Sequence, residues 1–391
     1  MSEIYLDGRV TLHAGDSRDV LKTIPDCSID SIVTDPPYAL VSIVKRFGAG
    51  NAAGVKVPEG GSGAYARASK GFMGKQWDTG ETAFDPAFWA ECLRVLKPGG
   101  HVVAFSGTRT YHRMASAIED AGFEIRDMLS WLYGSGFPKS HNAGNGRGTA
   151  LKPACEPICF GRKPLIGTVA ANVLQHGTGA INIDGCRVGI DAADDIFAKN
   201  PHTVNQATNE IYGAFKAGSE YKVPRGRWPA NIIHDGSEEV MTAFPDTEGR
   251  GNLGPSKGGG GMYGHGDTIN NFGPGDDGSA ARFFYTAKAD ANDRIGSKHP
   301  TVKPVDLMQW LCRLVTPPGG TILDPFAGTG TTGEAAFREG FNAVLIEREP
   351  EYQADIRRRM ALCMAGPEER KRESIKAKIG DLPFEAGSLF A

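Results

Sequence analysis

The sequence predicts an α/β protein with a doubly wound, mostly parallel sheet that is built from both ends of the chain. Residues 10–133 and 305–363 alternate between short apolar runs, typical of buried strands, and helices with one apolar face. Such alternation is typical of a parallel sheet with helices on both faces. The middle, about 135–282, is rich in Gly, Asn, Pro and Thr and has only brief apolar runs. It is expected to form an irregular inserted lobe.

These patterns divide the chain into four segments. Residues 1–138 form the first half of the α/β domain and 282–366 the second half, with the insert at 139–281. Residues 367–391 are a charged tail that is expected to add little to the core. Glycine makes up 52 of the 391 residues and is concentrated in two stretches, one of them within a predicted mobile loop at 41–76. Long loops in a compact protein are usually functional or disordered.

The composition excludes several classes of protein. No apolar run approaches the roughly 20 residues that a membrane helix needs, and the first residues lack a signal peptide, so an intracellular protein is expected. The net charge of −3 allows DNA binding only if cations gather on one face. Cys155, Cys159 and Cys186 could be considered as zinc ligands, but their spacing is loose and no fourth ligand is obvious. Free thiols and no metal are expected.

A glycine-rich motif at 324–332 follows a predicted strand and opens a helix. Glycines in such a turn let the backbone come close to a bound nucleoside. Glu347, 23 residues after Asp324, ends the next strand and suits hydrogen bonds to ribose hydroxyls. Taken alone the motif is ambiguous, because Gly328, Gly330 and Gly333 also satisfy the dinucleotide pattern G-x-G-x-x-G, and a structural tight turn would look the same.

The motif Asp35-Pro36-Pro37-Tyr38 follows another predicted strand and resolves that ambiguity. An aromatic amino group is a poor nucleophile, because its lone pair is delocalised into the ring. The Asp35 carboxylate and the Pro36 carbonyl can accept hydrogen bonds from its two N–H groups. This directs the lone pair of the nitrogen at a methyl sulfonium. Two prolines stiffen the loop and offer no competing N–H, and Tyr38 offers a flat face for a base. This pattern indicates amino-group methylation.

Together these motifs closely resemble the β group of DNA amino-methyltransferases, in which the catalytic motif precedes the cofactor motif. The resemblance covers roughly residues 4–140 and 282–364 and includes the segment 299–304. It implies a Rossmann-like methyltransferase sheet, S-adenosylmethionine as cofactor, double-stranded DNA as partner, and target recognition by the insert. It also implies a homodimer in the cytoplasm of a bacterial or phage-infected cell, associated with the nucleoid through DNA.

The resemblance assigns roles residue by residue. Asp16 would contact the cofactor or the target amine, and Thr301 and Lys303 would lie near the methionine carboxylate. The implied catalytic residues are Asp35, Pro36, Pro37 and Tyr38. The implied cofactor-binding residues are Asp16, Asp35, Thr301, Lys303, Asp324, Phe326, Gly328, Gly330, Thr331, Thr332 and Glu347.

The same resemblance favours adenine N6 over cytosine N4, because Asp in first place of the tetrad goes more often with adenine. Cytosine N4 remains the alternative, followed by RNA or protein amino-methylation and a non-catalytic DNA-binding regulator. A target amine in a duplex is reached by base flipping. The cations expected to contact phosphates are Lys45, Arg46, Arg67, Lys70, Lys139, Arg147, Lys152, Arg162, Lys163, Arg225 and Arg227.

Overall fold

The computed structural model describes residues 2–38, 82–136, 140, 142–189, 226–247, 278–287, 290–299 and 301–379. The strands in these ranges are β1 Ser2–Tyr5, β2 Val10–Ala14, β3 Ile29–Thr34, β4 Leu96–Phe105, β5 Glu124–Leu132, β6 Cys155–Arg162, β7 Ile232–His234, β8 Asp246–Thr247, β9 Gly278–Ser279, β10 Tyr285–Thr286, β11 Thr321–Asp324 and β12 Asn342–Glu347. The helices are α1 Ser17–Val20, α2 Pro86–Val95, α3 Tyr111–Asp120, α4 Val169–His176, α5 Glu238–Met241, α6 Val305–Val315, α7 Thr331–Arg338, α8 Pro350–Ala361 and α9 Pro367–Ile379.

Ten of the described strands form one sheet, in the order β1-β2-β12-β11-β3-β4-β6-β5-β7-β10. The strands from β2 to β4 in this order are parallel, whereas β6 is antiparallel to both of its neighbours. The predicted α/β class with a mostly parallel sheet is confirmed. The first and last thirds of the chain interleave, because β12 and β11 lie between β2 and β3.

Each face of the sheet has its own hydrophobic core. Alternate residues of a strand point to opposite faces, so Val33 and Val103 belong to one cluster and Ile32 and Val102 to the other. The first cluster is covered by α6, α7 and α8, and the second by α2 and α3. Asp85 caps α2 by accepting a hydrogen bond from the Ala87 amide, where the sequence predicts a helix start.

Strand β6 was not expected, since it lies in the predicted irregular insert. It pairs with both β4 and β5 through backbone hydrogen bonds. The sheet therefore includes residues from the middle of the chain as well as from its two ends. Glu156, Pro157 and Gly161 interrupt the apolar pattern of this strand, and a prolyl residue is unusual inside a sheet. Strand β7 was not expected either, because its three residues are too few to show a period.

The described part of the tail after 366 forms helix α9, and none of its residues belongs to either hydrophobic core. Helix α9 packs against the domain, and the Arg370 guanidinium, 6% exposed, donates to the Glu334 carboxylate on α7. Charged residues lie on most sides of α9, so its sequence has no apolar stripe that would indicate packing against the domain. A buried ion pair leaves no such stripe. The predicted mobile loop at 41–76 lies outside the described residues.

Among the described residues, no helix has both the length and the apolar character required to cross a lipid bilayer. The same residues also contain no group of three or more His, Cys, Asp or Glu side chains that could hold a metal ion.

Candidate active site

One pocket lies where the carboxyl ends of β2, β12, β11 and β3 meet. Open α/β sheets bind their ligands at this edge. Four of the segments that line the pocket, 15–17, 35–38, 325–329 and 348–349, come directly after these four strands. This explains why motifs about 290 residues apart in sequence share one site. Every predicted catalytic and cofactor residue lines the pocket except Gly330, which begins helix α7.

Asp324 joins the loop after β11 to the end of β3. Its carboxylate accepts a hydrogen bond from the Thr34 hydroxyl at 2.7 Å and another from the Thr332 hydroxyl at 2.5 Å. Burial raises its pKa to about 6, although these hydroxyl donors act in the opposite direction. Asp324 therefore holds the two motif loops together, and its oxygens already have protein partners.

The glycine loop has the backbone geometry that the sequence predicts. Gly328 and Gly330 have φ angles of +52° and +77°, which residues with a Cβ rarely adopt. A Cβ added at Gly333 would lie 2.7 Å from the Leu345 side chain. Glycine at this position therefore allows α7 to pack closely on β12.

Glu347 faces this loop from the end of β12. One carboxylate oxygen accepts the Gly328 amide and the other the Glu349 amide, both at 2.8 Å. Each oxygen keeps further acceptor capacity, so hydroxyl groups of a ligand can still donate to it. Burial raises the pKa of Glu347 to about 7, against the effect of the two amides.

Asp35 has one engaged and one free oxygen. Oδ2 accepts a hydrogen bond from Lys303 Nζ at 2.7 Å. Oδ1 is buried and has no hydrogen-bond partner among the described residues. A buried acceptor without a partner is costly and is common at functional sites. The carboxylate can therefore accept an N–H from a substrate without first breaking a protein hydrogen bond.

Tyr38 is fixed at both its backbone and its hydroxyl group. Its carbonyl accepts the Thr110 hydroxyl at 2.9 Å, and its own hydroxyl donates to Glu156 at 3.0 Å. Lys303 Nζ lies 5.3 Å from the ring centroid. The tyrosine ring is therefore held next to the Asp35 carboxylate.

Lys303 lies in the pocket, where its ammonium group is surrounded by protein oxygens. Its ammonium group, 6% exposed, contacts Asp35 Oδ2 at 2.7 Å, the Tyr38 hydroxyl at 3.0 Å and Glu156 at 3.1 Å. Burial would lower the pKa of Lys303, but the charges of Asp35 and Glu156 raise it above its usual value. All three N–H donors point at protein oxygens, so none is left for a methionine carboxylate in this arrangement.

The other pocket residues have simpler surroundings. Asp16 caps α1 and pairs with Arg18 at 3.0 Å and Arg348 at 3.6 Å. Thr301 is exposed at the pocket wall. His299 was not singled out from the sequence, yet its ring packs edge-on against Tyr352 with centroids 4.5 Å apart. Burial lowers the pKa of His299 to about 4, so the ring is neutral near pH 7.

Glu156 is the main residue that the sequence reasoning missed at this site. It is the single acid in an otherwise basic stretch and stands at the start of an apolar run, Pro157–Phe160. A charged residue at the edge of a buried strand indicates that it has a partner. The partners of Glu156 are far away in sequence, so the sequence alone does not identify them.

The cations predicted to contact DNA are found in different surroundings. Arg147 and Lys152 are exposed. Arg162 is buried and donates to Glu124 at 2.6 Å, and Lys163 Nζ donates to the Leu96 carbonyl at 2.7 Å, so both stabilise the sheet. Arg227 lies over the Phe283 ring. The remaining predicted cations fall outside the described residues: Lys45, Arg46, Arg67, Lys70, Lys139 and Arg225.

Comparison with known proteins identifies similar sequences. A family model described as DNA methylase matches residues 29–358, which include both motif loops. The type II methyltransferase M.HinfI of Haemophilus influenzae is 34% identical over 393 residues, covering 98% of this chain and 77% of that protein. M.HindIII of the same species is 34% identical over 110 residues, covering 24% of this chain and only 36% of that protein.

Among solved structures, the PvuII DNA methyltransferase, described as cytosine-N4-specific, is 17% identical to this chain. The similarity covers 95% of this chain and 94% of that one, with a TM-score of 0.46.

Proposed function

Since the chain belongs to the DNA methylase family that modifies N6 of adenine or N4 of cytosine, we propose that it transfers a methyl group from S-adenosylmethionine to adenine N6 in duplex DNA. The observation that carries this proposal is Oδ1 of Asp35, which has no hydrogen-bond partner in the described part of the chain and lies at the same sheet edge as the glycine loop and Glu347. One pocket therefore contains both an acceptor for an amino group, Asp35, and a loop whose backbone allows a nucleoside to approach closely.

The cofactor is S-adenosylmethionine, which supplies a methyl group activated by a sulfonium. Glu347 suits its ribose hydroxyls, because a carboxylate at this position accepts two hydrogen bonds. Gly328 lets the backbone approach the nucleoside, and Phe326 and Asp16 line the same pocket. The acidic and apolar lining fits a cationic ligand with an aromatic base.

Asp35 activates the target amine by accepting a hydrogen bond from one of its N–H groups, while the Pro36 carbonyl accepts a hydrogen bond from the other. These two acceptors would hold the nitrogen in a pyramidal geometry with its lone pair directed at the methyl group that bound S-adenosylmethionine would supply. The nitrogen would gain the positive charge as the sulfonium became a neutral thioether. The Asp35 carboxylate stabilises this charge and accepts the proton that the methylated amine loses, so that a neutral methylamino group results.

The target base must leave the duplex to reach this pocket, because its amino group is hydrogen-bonded inside the helix. Rotating the nucleotide out costs a few kcal/mol, which stacking on an aromatic ring can offset. Tyr38 is the aromatic residue of the motif, and the hydrogen bonds of its hydroxyl group hold its ring in place.

Analysis of the product tests the choice of base. The purified chain is incubated with unmethylated duplex DNA and S-adenosylmethionine, and the digested DNA is separated into nucleosides. The proposal requires N6-methyladenine. N4-methylcytosine instead would keep the mechanism and reverse the base assignment. A homodimer, expected from the resemblance, remains a prediction that sedimentation of the same preparation tests.

Exposed cations should make DNA binding depend on salt. Replacing Arg147 and Lys152 together with Ala should lower the slope of log K against log salt by about 2, since each phosphate contact contributes about 0.9. The measurement is duplex binding by fluorescence anisotropy between low and moderate salt. Replacing the exposed Lys371 and Lys376 on α9 is the matched control. An equal change of slope in both double variants would refute the assignment.

Cofactor affinity should depend on the protonation of Glu347. Hydroxyl donors favour its ionised form, whereas burial holds its pKa at about 7 without cofactor. Affinity is therefore full above pH 7 and should fall by up to about tenfold per pH unit below it. Calorimetry from pH 8 to pH 6 measures this. Glu347→Gln should bind more weakly at pH 8 and show little dependence on pH; a slope equal to that of the wild type would contradict the role.

A further inference from the structure

A residue outside the two motif loops completes the amine-binding cluster. We propose that Glu156 is a positioning residue for methyl transfer, which holds Lys303 on Oδ2 of Asp35 and thereby leaves Oδ1 free for the target amine. The inference rests on the proposed function and adds a residue to it. Glu156 itself does not touch substrate or cofactor in this account.

Glu156 reaches the site from the antiparallel strand β6. Across the sheet it lies opposite Trp131 of β5, and its side chain is 17% exposed. One oxygen, Oε2, accepts the Tyr38 hydroxyl at 3.0 Å and lies 3.1 Å from Lys303 Nζ. A single oxygen therefore fixes both groups that border Asp35.

The hydrogen-bond inventory of Lys303 explains why this matters. An ammonium group has three N–H donors, and the three oxygens of Asp35, Tyr38 and Glu156 lie within 3.1 Å of it. Without Glu156, the only charged partner left in this cluster would be Asp35. The ammonium could then bridge both carboxylate oxygens, which would block the acceptor that the target amine needs.

The charges of the cluster support the same role. Two carboxylates face one ammonium, so the cluster carries one net negative charge when all three are ionised. Positive charge develops on the target amine during the reaction, and a net negative site stabilises it. Glu156→Gln would make the cluster neutral while it keeps nearly the same shape.

Several titratable groups surround Glu156 among the described residues. Asp35 and Tyr38 come from the loop after β3, Lys303 precedes α6, Tyr133 follows β5, and Cys155 is the first residue of β6. Burial raises the pKa of both Tyr133 and Cys155, and the charge of Glu156 raises each of them further. Both ionise well above neutral pH. Neither group therefore adds a charge to the cluster near pH 7.

The test compares Glu156→Gln, Glu156→Asp and the wild type by kcat and by KM for S-adenosylmethionine. We expect Glu156→Gln to lose about 10²-fold in kcat, as for a misplaced reacting group, with KM nearly unchanged. Glu156→Asp keeps the charge, so it should recover a large part of the lost kcat. Glu119→Gln, an equal charge change at an exposed position of α3, is the control.

A crystal structure of Glu156→Gln gives a readout that does not depend on activity. We expect Lys303 Nζ to lie within hydrogen-bonding distance of both Asp35 oxygens. A wild-type kcat, a lower kcat matched by an equal rise in KM, or Lys303 still on Oδ2 alone would each overturn the inference. Failure of the proposed function would differ, because the wild type itself would then transfer no methyl group to DNA.

Discussion

Asp35→Asn should lower kcat for DNA methylation by about three orders of magnitude, the upper range for removing one group that stabilises transition-state charge. The amide has nearly the same shape, but it cannot accept the proton and offers an N–H donor towards the amine. Lys303 keeps Glu156 as a charged partner, so the variant should fold. Rates measured at saturating cofactor and duplex give the comparison.

Cofactor binding separates a chemical effect from a structural one in this variant. Asp35→Asn should keep the affinity for S-adenosylmethionine within about threefold, since a loss confined to kcat marks an interaction made in the transition state. Asp120→Asn, at the exposed end of α3, is the matched control and should be fully active. An Asp35→Asn enzyme that keeps a tenth of the wild-type kcat would contradict the assigned role.

Glu334→Ala should lower the free energy of unfolding by about 3–5 kcal/mol, the usual cost of removing one partner from a buried ion pair. Glu334 is fully buried and pairs with Arg359 at 2.7 Å and Arg370 at 2.5 Å. Both guanidinium groups are themselves less than a tenth exposed, so the variant leaves two buried charges without this partner. Urea denaturation followed by circular dichroism measures the loss.

The effect should extend to the glycine loop, because the Arg359 Nε atom donates to the Thr329 carbonyl at 2.8 Å. We expect a weaker affinity for S-adenosylmethionine as well as lower stability. Glu369→Ala is the control: its nearest arginine contact, with Arg372, is 3.9 Å long and more than half exposed, and such pairs contribute little. A loss below 1 kcal/mol in Glu334→Ala would show that the ion pair is not needed.

The ends of the chain could be predicted because their signals are local. The strand that ends at Thr34 is indicated by a short apolar run just before Asp35, and the helix Val305–Val315 by its helical periodicity. Strand β6 could not be recognised in the same way, because Pro157 and Gly161 interrupt it and its stability comes from two neighbours distant in sequence. Tertiary pairing overrides local propensity at such positions.

The site shows the same division between local and long-range information. The motif residues and their common edge of the sheet follow from spacing and strand ends. The partners of Lys303 do not, since a lysine near a cofactor motif suggests an anionic ligand and nothing local indicates Asp35 and Glu156. Likewise, the charged sequence of α9 does not reveal that Arg370 turns inward to Glu334. Contacts between elements remote in sequence carry most of what was missed.

The most direct test of the account is a single-turnover transfer of labelled methyl from S-adenosylmethionine to duplex DNA, by the wild type and by Asp35→Asn in parallel. The account predicts that label enters the DNA with the wild type and is nearly absent with the variant, while both proteins bind the cofactor. Equal labelling by the two proteins, or no labelled DNA from a wild type that binds the cofactor, would contradict it.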